Sequence, residues 1–258
     1  MADYLCEQFG LAGRRALVTG GSRGIGAAIA QGLGAAGAEV LVHYRSREDA
    51  ATEVANRIRS AGGSADTVQA DLGRKPDVDR VFDQVRERWD AMDILINNAG
   101  DVIARSTLAD ADDEYIDRVL RVNLWSTLYC CRAAVSLLRN GRDPAIVNLT
   151  SISARNGGHG GVSIYAAAKG GTMSVTRSLA RELGPGIRVN AIAPGVIMTD
   201  IHRTLSTEEL LDQVATRTPL ARNGEPEECA GVVVFLCSRA SSFITGEVID
   251  VNGGLWMA

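Results

Sequence analysis

The chain has 258 residues, is 46% apolar but only 5% aromatic, and carries 27 basic against 31 acidic residues for a net charge of −4. Acids and bases are interspersed, so there is no basic stripe to select nucleic acid and no polybasic run to hold an anionic membrane. No apolar run reaches the ~20 residues of a membrane span, and Met1 to Gly10 lacks the basic and apolar segments of a secretion signal, so a cytoplasmic protein is expected.

Strand and helix signals alternate from end to end. Ala16 to Thr19 reads as a buried strand, and Ile25, Ile29 and Leu33 then recur at helical spacing until Gly37 stops the helix. Val40 to His43 is the next strand, followed by a charged helix over about Arg47 to Ser60. Gly62 and Gly63 break the chain before a strand around Thr67 to Gln69, and Pro76 opens a helix running to about Trp89. Ile94 to Ile96 is a strand leading into Asn97-Asn98-Ala99-Gly100, and a long helix spans roughly Asp112 to Leu138. Then come a strand at Ala145 to Leu149, a helix at Ser163 to Leu183 and a strand at Ile187 to Asn190. A polar stretch to about Pro219 holds a short helix, Pro226 opens the last main helix, and Val248 to Val251 closes the pattern.

This alternation predicts an α/β fold, a doubly wound seven-stranded parallel sheet in a single domain spanning 1–258. Ligands of such sheets lie at the carboxyl ends of the strands, where strand order reverses. Thr19-Gly20, Asn97-Asn98, Thr150-Ser151 and Pro194-Gly195 all fall at those ends, so four motifs converge on one crevice.

Two of the motifs carry chemistry. Thr19-Gly-Gly-Ser-Arg-Gly-Ile-Gly26 joins a strand to a helix. Gly20 allows the tight turn, Gly24 lets backbone approach a pyrophosphate at the helix N-terminus, and Gly26 permits close helix–strand packing. Tyr165-Ala-Ala-Ala-Lys169 places a phenol and an ammonium one helical turn apart. A phenol ionises near pKa ~10, and a cation held beside it favours the phenolate, which tunes Tyr165 as an acid or base. Lys75 and Lys169 are the lysines among the basic residues, the rest being arginine. At 169 the compact ammonium matters, because a forked guanidinium does not replace it conservatively. Ser151, at the end of an apolar run, reaches the same group as Tyr165 if the chain folds back. The five cysteines, Cys6, Cys130, Cys131, Cys229 and Cys237, form no CxxC pair and read as reduced thiols. Three scattered histidines give no metal site: His159 reads as a solvated loop residue, and His202 as solvent-exposed or touching substrate.

Taken in order, Thr19 to Gly26, Asn97-Asn-Ala-Gly100, Asn123, Ser151, Tyr165-Ala-Ala-Ala-Lys169 and Pro194-Gly195 resemble the short-chain dehydrogenase/reductase family over nearly the whole chain. The resemblance implies a Rossmann fold and an oxidoreductase interconverting a carbonyl and a secondary alcohol. It implies that Tyr165 is the general acid/base and that Lys169 lowers its pKa and bonds the nicotinamide ribose. It further implies that Ser151 holds the substrate oxygen and that Asn123 holds a water in a proton relay. Gly20, Ser22, Arg23 and Ile25 bind the cofactor, Asp71 and Leu72 meet the adenine, and Asn98 and Ala99 line the adenosine side. Pro194, Gly195, Ile197 and Thr199 hold the nicotinamide end. Ser151 stands one residue further from Tyr165 than in many members; Ser153 is the runner-up, otherwise a substrate-pocket residue.

Cofactor choice is read at the end of the second strand, where an acid binds the ribose hydroxyls of NAD. His43-Tyr44-Arg45-Ser46 has no acid until Glu48. Arg23 and Arg45, with Ser46, flank a 2′-phosphate instead, so NADP(H) is preferred and NAD(H) is the alternative.

Within the family, Ser178-Leu-Ala-Arg-Glu182, Arg188-Val-Asn190 and Ile244 to Gly254 resemble the 3-oxoacyl-[acyl-carrier-protein] reductase-like branch. That implies an acyl carrier protein as partner, with Arg139 and Arg142 as a basic patch. The turn Gly184-Pro185-Gly186, where such reductases often carry another base, counts against it. The alternatives are a free small ketone, sugar or polyol as substrate, or a non-catalytic NADP(H) sensor. A sugar epimerase is disfavoured by the glycine spacing. A substrate lid is expected at about 196–218. A homotetramer is expected because Leu124, Trp125, Leu128, Tyr129, Met173, Val175 and Leu179 make two helices apolar nearly all round, with Trp256 a further candidate for burial.

Overall fold

Alternating apolar residues on each strand split the core into two layers. The computed structural model describes residues 2–200 and 206–257; His202 and part of the 196–218 segment lie outside them. Seven parallel strands run β1 (Arg15–Val18), β2 (Glu39–Tyr44), β3 (Ser64–Gln69), β4 (Ile94–Asn97), β5 (Ala145–Leu149), β6 (Arg188–Pro194) and β7 (Val248–Val251). Their order is β3-β2-β1-β4-β5-β6-β7. The reversal therefore falls between β1 and β4, and a crevice opens beyond their carboxyl ends.

Successive side chains leave opposite faces of a strand. Ala16 and Val18, Val40 and Val42, and Ile94 and Ile96 enter one core. Leu17, Leu41 and Leu95 enter the other. The first layer is covered by α2 (Gly24–Ala35) and α3 (Glu48–Ser60), and by the helix Pro226–Cys237. The second is covered by α4 (Lys75–Arg88), the helix Ser126–Arg139 and the helix Ser163–Leu183.

Some elements differ from the sequence reading. A helix α1 (Ala2–Phe9) precedes β1. The expected long helix is α5 (Asp113–Leu120), a π-helical turn at Arg121–Trp125 and α6 (Ser126–Arg139). The glycine-rich stretch after β5 begins with a single helical turn, α7 (Ser153–Asn156). After it come α8 (Ser163–Leu183), α9 (Glu208–Arg217) and α10 (Pro226–Cys237). Strand β6 continues past Asn190 through a fully buried run to Pro194.

The reading of α6 and α8 as apolar nearly all round needs correction. Met173 is buried in the chain's own core beside Ala191, Ala193 and Val248, and Leu179 packs on the second core. Trp125 stays 40% exposed, stacked on Tyr129 with ring centroids 6.4 Å apart. Trp256, Leu220 and Phe243 are also exposed. Among the described residues no helix is long and apolar enough to cross a membrane, and no cluster of three His, Cys, Asp or Glu could hold a metal ion.

Candidate active site

The crevice is a cavity of about 360 Å³ built from the strand ends. Gly20 follows β1, Arg45 and Ser46 follow β2, Asp71 and Leu72 follow β3, and Asn98 and Ala99 follow β4. Ser151 follows β5 and Pro194 ends β6; all of these residues line the cavity. Ser22, Arg23, Ile25, Tyr165, Lys169, Gly195, Ile197 and Thr199 line it too. Asn123 does not; it stands behind the wall.

The glycine turn is tied by hydrogen bonds to the end of β4. Thr19 Oγ1 donates to the Ile96 carbonyl at 3.0 Å and accepts from the N–H groups of Asn98 at 2.9 Å and Ala99 at 3.0 Å. Asn98 Nδ2 donates to the carbonyls of Thr19 and Gly20, each at 2.9 Å. Gly20 and Gly24 have φ of +62° and +51°, which side chains with a Cβ rarely adopt. A Cβ on Gly26 would lie 2.2 Å from the Gly20 carbonyl oxygen, so this position is closed to any other residue without rearrangement. Arg23, the N-cap of α2, makes no side-chain cap bond, so the first-turn N–H groups face the cavity without a capping side chain. A nicotinamide dinucleotide fits this arrangement: its pyrophosphate would meet those donors and the positive end of the helix.

The cavity wall after β2 is basic. Arg23 is half-buried, while Arg45 is exposed. Arg47, which the sequence places at the start of a helix, also lines the cavity and pairs with Asp200 at 3.8 Å. No acid stands at the end of β2.

Across the cavity, Ser151 stands close enough to Tyr165 to act on its phenol. Ser151 Oγ accepts from the Ser153 N–H at 3.1 Å, which fixes its position at the start of α7. Ser153 lines the same cavity, as does His159, which is exposed at its mouth. Lys169 is buried, with 4% exposure, and its Nζ donates to the Leu149 carbonyl at 2.9 Å. Thr150 Oγ1 donates to the Lys169 carbonyl at 2.8 Å and pins α8 to the end of β5.

The expected tuning of Tyr165 by Lys169 takes a different form. The Lys169 ammonium lies 5.7 Å from the centre of the Tyr165 ring and is bonded elsewhere. Burial raises the Tyr165 phenol to about 12, with Ser151 pulling the other way. Tyr165 as a whole keeps part of its surface open to the cavity, but its hydroxyl sits where charge is poorly solvated. Burial also lowers Lys169 to about 8. Desolvation thus outweighs the lysine.

Asn123 lies in the π-helical turn, fully buried. Its Nδ2 donates to the Asp101 carbonyl at 2.7 Å and the Val119 carbonyl at 2.9 Å, and its Oδ1 accepts from the Asp101 N–H at 3.1 Å. Its carboxamide is thus occupied with backbone. Gly100 separates it from Lys169, since a Cβ there would lie 2.8 Å from Asn123 Oδ1 and 3.0 Å from Lys169 Nζ.

The basic patch expected from Arg139 and Arg142 is at the wrong end of the molecule. Arg142 donates to the Ala12 carbonyl at 2.7 Å, and its N–H to Asp93 Oδ1; these groups precede β1 and β4. Arg139 ends α6, where Leu137 accepts from the Met92 N–H. Both arginines therefore lie at the amino ends of the strands, opposite the cavity.

Known proteins agree with this arrangement. The family model described as Enoyl-(Acyl carrier protein) reductase matches residues 20–256. The uncharacterized oxidoreductase YgfF of Escherichia coli is 40% identical over 243 residues, covering 93% of this chain and 98% of that protein. The 3-oxoacyl-[acyl-carrier-protein] reductase FabG of Aquifex aeolicus is 40% identical over 254 residues, covering 95% and 98%. A short-chain dehydrogenase from Burkholderia cenocepacia, solved in complex with NADP, superposes with a TM-score of 0.88 at 36% identity, covering 95% of this chain and 98% of that one. With strand order, glycine turn and the Ser151, Tyr165 and Lys169 cluster in place, the chain belongs to the short-chain dehydrogenase/reductase family, in its 3-oxoacyl-[acyl-carrier-protein] reductase-like branch, and is an oxidoreductase of CH–OH and C=O groups.

Proposed function

We propose that the protein is an NADP(H)-dependent reductase that interconverts a carbonyl and a secondary alcohol, with Tyr165 as general acid in reduction and general base in oxidation. The observation that carries this reading is the gathering of Ser151, Tyr165 and Lys169 in one cavity with the glycine turn. The bound cofactor would supply or accept the hydride at the substrate carbon. Ser151 and Tyr165 donate hydrogen bonds to the substrate oxygen, where negative charge grows as the carbon is reduced, and so favour the transition state over the ground state. Tyr165 then delivers its proton to that oxygen. A phenol held at about 12 is a poor acid toward water but a competent donor to an alkoxide. Lys169 would contribute its charge beside Tyr165 and would hold the nicotinamide ribose of the bound cofactor. Asn123, in its π turn beside Gly100 and Lys169, is the residue that would hold a water in the proton relay to Lys169.

The absence of an acid after β2 and the presence of Arg23 and Arg45 support NADP(H) over NAD(H). The NADP bound by the Burkholderia relative points the same way. For the substrate, the position of Arg139 and Arg142 favours a free small ketone over an acyl group carried on an acidic protein. Residues 196–218 would cover the substrate. We further take the chain to assemble as a homotetramer, with the exposed Trp125 and Trp256 covered by symmetry mates.

The test is NADPH oxidation by the purified protein on a panel of carbonyls: free ketones, 3-oxoacyl groups on a small thiol, and the same groups on carrier protein. Turnover of free ketones is expected. Cofactor binding with no turnover on any carbonyl would overturn the enzyme reading in favour of a sensor. Turnover confined to the carrier-bound substrate would overturn the substrate reading.

A further inference from the structure

His43 is 3% exposed and sits at the end of β2, between the glycine turn and the end of β3. Its Nδ1 accepts from the Gly20 N–H at 3.0 Å. Its Nε2 faces the Ala70 carbonyl at 3.2 Å. These two partners fix the tautomer: a backbone N–H can only donate, and a backbone carbonyl can only accept. Nδ1 must therefore be bare and Nε2 must carry the proton. The His43 carbonyl also accepts from the Gly21 N–H at 2.8 Å. Two consecutive peptide units of the turn are thus held by one residue. The Gly20 unit is the one with positive φ, and it has no side chain to hold itself in place. On the other side of the ring, Ala70 precedes Asp71 and Leu72, which line the adenine end of the cavity.

We propose that His43 is a positioning residue for the dinucleotide: as its Nε2–H tautomer it locks the phosphate turn after β1 to the adenine wall after β3, setting the distance between the two halves of the cofactor site. It touches the cavity wall without taking part in hydride or proton transfer. Its effect should fall on cofactor affinity, and equally on NADPH and NADH, because the pinned elements meet parts that both cofactors share. This inference rests on the dinucleotide reading of the cavity. A wild type that bound the two cofactors equally would refute the NADP(H) preference and leave the His43 comparison intact.

The experiment compares His43→Asn, His43→Gln and His43→Phe in the full-length protein. An Asn carboxamide oxygen overlies Nδ1 and keeps the Gly20 bond. A Gln carboxamide reaches the Nε2 position and keeps only the Ala70 bond. Dissociation constants for NADPH and NADH are measured by titration well below each variant's melting temperature. His43→Phe, His43→Gln and His43→Asn should each weaken both cofactors by about tenfold or more, the scale of one lost buried hydrogen bond, because each breaks at least one end of the link between Gly20 and Ala70. Loss of melting temperature with unchanged dissociation constants would make His43 merely structural and overturn the proposal. So would a wild-type dissociation constant in either the Asn or the Gln variant, a comparison that stands if the Phe variant does not fold. In nitrogen NMR of the ligand-free wild type, where His43 is one of three histidines, the proton should be on Nε2; a proton on Nδ1 would also overturn it.

Discussion

Gly26→Ala tests whether the glycine turn is as tightly built as the cofactor reading requires. The new Cβ would lie 2.2 Å from the Gly20 carbonyl oxygen, 2.4 Å from Asn98 Nδ2 and 2.9 Å from the Gly20 carbonyl carbon, whereas ordinary contact begins near 3.4 Å. One neighbour is backbone, and the other is a side-chain amide pinned by two hydrogen bonds. The turn must move by about 1 Å, and overpacking of this kind costs about 1–3 kcal/mol. Asn98 is displaced as well, and with it two 2.9 Å hydrogen bonds to Thr19 and Gly20, each contributing about 1 kcal/mol. A combined loss of about 3–5 kcal/mol is a large part of the ~5–15 kcal/mol that stabilises a typical fold. At about 2–4 °C per kcal/mol for a chain of this size class, melting should fall by roughly 10 °C or more. NADPH affinity should fall with it, because the distorted turn is the phosphate cradle. Gly231→Ala is the control: this exposed helical glycine has nothing within 4 Å of its added Cβ, so the variant should gain up to about 1 kcal/mol in helix propensity. Circular dichroism melts and NADPH titration read both. A Gly26→Ala protein that melts within about 2 °C of wild type, less than 1 kcal/mol by the same conversion, and binds NADPH normally would refute the reasoning.

Three further outcomes are expected. Arg45→Asp places a carboxylate beside the expected 2′-phosphate; it should weaken NADPH by about tenfold or more and shift preference toward NADH, whereas an unchanged ratio of the two constants would remove Arg45 from cofactor choice. Burial lowers His43 to about 4 against an ordinary 6.5, with Asp71 nearby and the Ala70 hydrogen bond opposing the shift. The unfolded chain then binds the extra proton first, so stability is lost as pH falls from about 6.5 to 4, by up to about 3 kcal/mol. His43→Asn should lack that part of the acid loss, as denaturant melts at pH 7 and pH 4.5 would report; equal acid sensitivity in both proteins would contradict it. Light scattering should give about four times the 27.3 kDa of one chain, and an active monomer that persists on dilution would reject the assembly.

Sequence patterns revealed elements where a period or a breaker marks them. Pro226 at the start of α10, the apolar stripe of α8 and the Val248–Val251 strand lie where those signals put them. Irregularity leaves no such mark. The π turn at Arg121–Trp125 interrupts a helix whose apolar spacing continues through it, and the four residues of α7 are too few to show a period. The strand-end motifs are legible because a parallel sheet gathers all carboxyl ends on one edge. What they meet is not legible: His43 joins Gly20 and Ala70, 23 and 27 residues away in sequence, and reads in isolation as one more strand residue. Arg139 and Arg142 show the converse error, since a pair of bases in sequence says nothing about which end of the sheet they occupy. The Tyr165–Lys169 spacing places both groups at the site, but burial and the Leu149 carbonyl decide their protonation, and neither is written in a four-residue interval.

The central claim is that Tyr165 supplies the proton in carbonyl reduction. Tyr165→Phe removes the phenolic oxygen and leaves the glycine turn, Arg45 and Lys169 in place. Single-turnover reduction of the best ketone from the panel, with NADPH saturating, measures the chemical step directly, and a parallel titration measures NADPH affinity. The account predicts a loss of about 10²–10⁴ in rate with an NADPH dissociation constant within about threefold of wild type. A Tyr165→Phe protein that reduces the ketone at the wild-type rate would contradict it.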